Sequence, residues 1–142
     1  MPRKIRLVAV GRVKEGYLRA GMAEYEKRLK PYCSLEVIEL KDEGMEKEEK
    51  RLEKYLGPNA FLLDEKGAEL DSIEFAKLLS NDPAAQLTFI IGGPYGTTAG
   101  LKKKCGCISL SKMTFTHEMC RLFLLEQLYR AMLANSGRAY QK

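Results

Sequence analysis

Residues 87–100 read LTFIIGGPYGTTAG. Leu87 to Ile91 form a strand-length apolar run that stops abruptly at Gly92-Gly93-Pro94 and Gly96. A run apolar at consecutive positions has both faces buried, as in the middle of a sheet covered on two sides. The glycines that end it bring bare backbone to the sheet rim, where N–H and C=O groups meet a small ligand at close range.

Outward from this stretch, strand and helix patterns alternate. Residues 4–11 (KIRLVAVG) predict a short strand ending in glycine. Leu18, Met22, Tyr25 and Leu29 recur at helical spacing and predict a helix over 17–29, stopped by Pro31. Residues 35–40 (LEVIEL) alternate as a strand, with Leu35 and Val37 on one face and Glu39 in register with them. The charged stretch 41–57 reads equally as a helix supported by Glu/Lys pairs such as Glu46–Lys50 or as a loop with a helical end. Residues 60–64 (AFLLD) predict a strand. Asp71 and Glu74 have capping-box spacing and start a helix that runs to about Leu79. A short helix over 101–104, a strand over 107–110 and a long helix over 117–133 complete the chain. Such β-α alternation implies a single α/β domain, residues 1–142, around a mostly parallel sheet. Ligands of such sheets lie outside the carboxyl ends of the strands. Asp64, Gly92-Gly93 and residues 109–111 stand at three of those ends. The long helix is apolar around most of its circumference, which points to burial against a second subunit.

Composition narrows the class. The 142 residues suffice for one domain with a core, and no apolar run approaches a bilayer span. The basic start lacks the long apolar region and cleavage site of a signal peptide, so a cytoplasmic protein is expected. Cys33, Cys105, Cys107 and Cys120 lack zinc-site spacing and the chain has one histidine; reduced thiols and no metal are expected. The net charge is +5. Residues 1–32 hold nine Lys/Arg against three Glu, residues 33–100 hold seven against fourteen acids, and residues 101–142 hold eight against two. If the fold joins the two basic ends, they form a face suited to a phosphate backbone. The glycine loops match neither the dinucleotide fingerprint nor the P-loop. An adenosine-type ligand such as S-adenosylmethionine, which needs apolar walls and backbone hydrogen bonds, fits them better.

The combination of LVAVGR, FLLDEKG, IIGGPYG, SLSKMTFTHEMCR, LLEQLYRA and a tyrosine-containing tail resembles the SPOUT-class methyltransferases, and more narrowly the RlmH family, across essentially the whole chain. The family N3-methylates a pseudouridine in large-subunit ribosomal RNA. The resemblance implies a Rossmann-like sheet with a C-terminal trefoil knot, which pattern reasoning alone would have excluded. It implies a homodimer acting on ribosomal RNA, as the large subunit or a 70S-type ribosome, with S-adenosylmethionine as cofactor. Matched to the motifs, cofactor contacts fall on Leu63, Gly93, Ser111, Lys112, Met113, Thr114, Phe115 and Thr116. Tyr140, His117 and Arg121 fall on the catalytic side, and Arg138 and Lys142 on the RNA side. The chain departs from the family where Gln141 stands in place of a tail histidine, and glutamine is no base near neutral pH. That departure keeps open a second reading, an RNA- or ribosome-binding dimer without chemistry.

Overall fold

The computed structural model describes residues 3–81, 86–93 and 97–137. Its strands are β1 (Arg3–Val10), β2 (Cys33–Leu40), β3 (Ala60–Glu69), β4 (Gln86–Ile91) and β5 (Gly106–Ser109). Its helices are α1 (Gly16–Leu29), α2 (Met45–Leu52), α3 (Ser72–Asn81), α4 (Ala99–Lys102) and α5 (His117–Asn135). A 3-10 turn, Glu53–Tyr55, extends α2. All strand pairings are parallel, in the order β2-β1-β4-β3-β5. The sheet is therefore the one expected from β-α alternation.

Period-two alternation sorts the central strands between two cores. Ile5, Leu7 and Ala9 of β1, with Leu87, Phe89 and Ile91 of β4, face α1, α3 and α5. Val8, Val10, Leu62 and Ile90 face the other way, toward Leu52 of α2 and Leu101 of α4. A buried leucine contributes roughly 1.5–3 kcal/mol, so two-sided burial of β1 and β4 outweighs their lack of polar surface.

Within the charged stretch 41–57 a helix forms over Met45–Leu52, after a non-helical start. Its buried positions are Glu48 and Leu52, and Leu52 is what packs it on the sheet. The capping box is present: Glu74 N–H donates to Asp71 Oδ1 at 2.7 Å, and Asp71 N–H to Glu74 Oε1 at 3.0 Å. Strand β3 runs five residues past the expected end at Asp64. Its pairing with β5 moves from Leu63↔Ile108 to Ala68↔Ile108, so residues 64–67 bulge out of the ladder. The last two short elements start earlier than expected, at Ala99 and Gly106.

Helix α5 lies against both α1 and α3. Leu124, Leu125, Leu128, Ala131 and Met132 are buried there, Leu122 packs on Gly21 of α1, and Phe123 meets Phe115 at 4.9 Å between ring centroids. Much of its apolar circumference is thus covered within the chain. Strand β5 lies at the sheet edge, whereas α5 begins beside the end of β1. Residues 110–116 must therefore cross the carboxyl ends of β3 and β4.

Candidate functional site

That crossing builds a cavity of about 770 Å³ over the strand ends. Leu63 to Lys66 at the β3 bulge, Ile91 to Gly93 after β4, and the 110–116 crossing apart from Lys112 line it, with His117 and Glu118 from the start of α5. The volume lies in the range of small-molecule sites.

Local chemistry holds the crossing in shape. Ser109 Oγ donates to Ser111 O at 2.7 Å and accepts Ser111 N–H at 3.2 Å. Ser111 Oγ accepts Met113 N–H at 3.0 Å, and Thr114 Oγ1 donates to the Glu65 carboxylate. Two serines spaced by two residues thus supply successive side-chain turns. Thr116 caps α5, its Oγ1 accepting Met119 N–H at 3.2 Å. Glu118 Oε1 accepts Lys14 N–H at 2.7 Å, fixing the start of α5 to the β1–α1 loop. That hydrogen bond is the main reason the Glu118 carboxyl titrates below its ordinary value. Met113 is 74% exposed and Phe115 36%, so both present apolar surface at the mouth.

The structure brings together Leu63, Gly93, Ser111, Met113, Thr114, Phe115, Thr116 and His117. Lys112 does not line the cavity; its ammonium lies 3.6 Å from Glu69. Arg121 also stands apart. It is 1% exposed, with Nη1 donating to Gly11 O at 3.2 Å and Nη2 to Glu39 Oε2 at 2.6 Å. Its geometry ties the ends of β1 and β2 to α5. Its carboxylate partner is Glu39, the strand residue that reads in register with Leu35 and Val37. Tyr140, Arg138 and Lys142 lie outside the described residues.

Sequence reading passed over several lining groups. Lys102 is not merely solvated: its Nζ lies 3.1 Å from Asp64 Oδ2 at the cavity edge. Glu65 and Lys66 enter because the β3 bulge turns them there, past the expected strand end at Asp64. The four cysteines are free, and burial pushes each thiol up, Cys33 to about 11. None is poised as a nucleophile. Among the described residues no group of acidic, histidine and cysteine side chains could hold a metal ion.

A parallel sheet with its cavity over the strand ends fits one class, the SPOUT methyltransferases. The family model described as "Predicted SPOUT methyltransferase" matches residues 3–141. A Ribosomal RNA large subunit methyltransferase H of Latilactobacillus sakei is 36% identical, covering 97% of this chain and 99% of that protein. The protein of the same name from Clostridioides difficile is 39% identical over the same shares. The chain belongs to this methyltransferase H family. A probable methyltransferase from Bordetella pertussis shares the fold, with a TM-score of 0.56 at 13% identity over 92% of this chain and 95% of that one. Enzymes of the class use S-adenosylmethionine as methyl donor.

Proposed function

We propose that this protein methylates large-subunit ribosomal RNA, at N3 of a pseudouridine, in the cavity over β3 and β4. The observation that carries the reading is the convergence of the Gly92-Gly93 rim with the serine-to-threonine crossing in one small-molecule cavity. Relatives named for ribosomal RNA methylation match nearly the whole chain.

The residues present fit the cofactor. Leu63, Ile91, Met113 and Phe115 offer apolar walls for an adenosine, and Gly93 brings backbone into the lining. The hydroxyls of Ser111 and Thr116 and the carboxylates at Asp64 and Glu65 supply polar edges. When bound, S-adenosylmethionine would supply a methyl group on a sulfonium, whose neutral thioether is a good leaving group. The protein's share is to align the acceptor with it, and orientation contributes up to roughly 7–11 kcal/mol. Deprotonating a ring nitrogen of pKa about 9 at pH 7 costs roughly 2.7 kcal/mol, at 1.36 per unit. A general base contributes about 10²–10⁴-fold. Positioning is the larger effect, so Gln141 slows turnover without abolishing it. His117 at the mouth and Tyr140 in the tail are the polar groups assigned to the acceptor side, with Arg138 and Lys142 on the phosphate backbone.

The RNA side extends to the β1–α1 corner. Arg12, Lys14 and Arg19 are exposed there with Tyr17, 68% exposed, beside the start of α5. Cations around an open aromatic ring suit a phosphate backbone with an unstacked base. The crossing of residues 110–116 is taken as the knotted passage. A homodimer that covers Met113 and Phe115, working in the cytoplasm, completes the reading; no described helix is long and apolar enough to cross a membrane. The test is methyl transfer from labelled S-adenosylmethionine to ribosomes and large subunits from a strain lacking this gene. Label in large-subunit RNA is expected. RNA binding without label in either particle would leave the non-catalytic reading.

A further inference from the structure

Helix α2 carries two adjacent glutamates that reach opposite ends of the connection from β4 to α4. The Glu48 carboxyl accepts Gly93 N–H, and Oε1 stands so close that a Cβ on Gly93 would come within 2.7 Å. Glu49 Oε1 accepts the Thr98 hydroxyl at 2.8 Å. Thr98 Oγ1 in turn accepts Leu101 N–H at 3.1 Å and caps α4. Gly93 and Thr97 line the cavity, and neither glutamate does.

We propose that Glu48 and Glu49 are positioning residues for the methyl-donor pocket, holding the Gly93 and Thr98 ends of this connection so that the glycine backbone stands at ligand distance. The proposal rests on the cofactor reading above and adds a helix on the far side of the sheet to it. Glu48 is 4% exposed, an unusual place for a carboxyl on a helix otherwise rich in water-facing charge. It faces the Asp42 carboxyl from the β2–α2 connection, Val10 from β1 and the Gly93 peptide after β4. Among the described residues, Arg51 and Lys41 both pair with Glu43, at 2.6 and 3.7 Å. Burial, and then the facing Asp42 carboxylate, favour the protonated form of Glu48. A protonated Glu48 donates to Asp42 with one oxygen while the other accepts from Gly93, and a glutamine reproduces that donor-acceptor pair. A charge on α2 chosen only for solubility would be turned to water.

Titration of S-adenosylhomocysteine by calorimetry tests this on the wild type, Glu48→Gln, Glu48→Ala and Glu49→Ala, with thermal unfolding of each. Glu49 is half-buried on a helix surface, so Glu49→Ala folds even if Glu48→Ala does not. The expected result is affinity about fivefold to tenfold weaker in Glu49→Ala, the scale of one lost hydrogen bond. Its unfolding midpoint stays near that of the wild type. Glu48→Gln is expected within twofold of the wild type, a rescue that mere removal of charge would not give. Wild-type affinity in every alanine variant that folds overturns the clamp while leaving the pocket standing. A flat wild-type titration overturns the cofactor reading itself, and the clamp with it.

Discussion

Arg121 shows how a residue placed on the catalytic side by its motif is spent on architecture. Its guanidinium bridges Gly11 O and Glu39, and its Nε has no partner among the described residues. Removing it leaves the partly buried Gly11 carbonyl and a half-exposed carboxylate uncompensated. Arg121→Ala is expected to cost about 2–3 kcal/mol in urea unfolding, less than a fully buried pair because Glu39 reaches water. Glu48 gives the second prediction at this scale. Burial, then the hydrogen bond and charge of Asp42, raise its carboxyl from the ordinary 4.5 to about 7, against the lowering effect of Gly93 N–H. The folded state therefore holds this proton more tightly than the unfolded chain. Its contribution is fully present below pH 4.5 and is lost as the pH rises to about 7. Glu48→Gln removes this decline, seen as the wild-type minus variant difference in unfolding midpoint across pH 4.5–7.5. None of this was legible in the sequence, where Arg121 sits one turn from Glu118 and Glu48 lies within a run of solvated charges. Partners 82 residues apart are set by topology, not by spacing.

Elements with a strong period were read correctly. The alternation in β1 and β4 sorts their residues between two cores, and the Asp71/Glu74 spacing forms its capping box. Strand β3 was read short, ending at Asp64, because the apolar run stops there. Its continuation depends on β5, which pairs with it from some forty residues away and leaves residues 64–67 as a bulge. Gly67 makes the bulge possible. A Cβ there would lie 2.7 Å from Cys107 C and 2.8 Å from Ile108 N, both backbone atoms that cannot yield. Gly67→Ala is expected to cost about 2–3 kcal/mol in denaturant unfolding, the upper range of overpacking. It should also weaken S-adenosylhomocysteine binding, because the bulge carries cavity residues Asp64 to Lys66. Wild-type stability and affinity in that variant would show that β5 tolerates displacement.

At the scale of the molecule, basic ends and an acidic middle become geometry. Helices α1 and α5, from the two basic segments, pack side by side, while α2, from the acidic middle segment, lies on the opposite face. The exposed Arg12, Lys14 and Arg19 corner adjoins the cavity mouth. RNA affinity is expected to fall steeply with salt, and Arg12→Ala and Lys14→Ala should each reduce the log–log slope by about 1. Equal slopes would move the RNA path elsewhere. The sequence showed the charge asymmetry but not the contact of the ends, which follows from β1 lying central in the sheet. The most direct measurement of the whole account is labelled-methyl transfer to large-subunit ribosomal RNA by the wild type and by Met113→Arg. Met113 is exposed within the single chain, so each subunit of the variant folds, and its cation at the cavity wall, where the partner is proposed to close over it, repels a sulfonium. The account predicts label with the wild type and a loss of at least about tenfold, the scale of one unfavourable charge contact. Undiminished transfer by the variant, or none by the wild type, would contradict it.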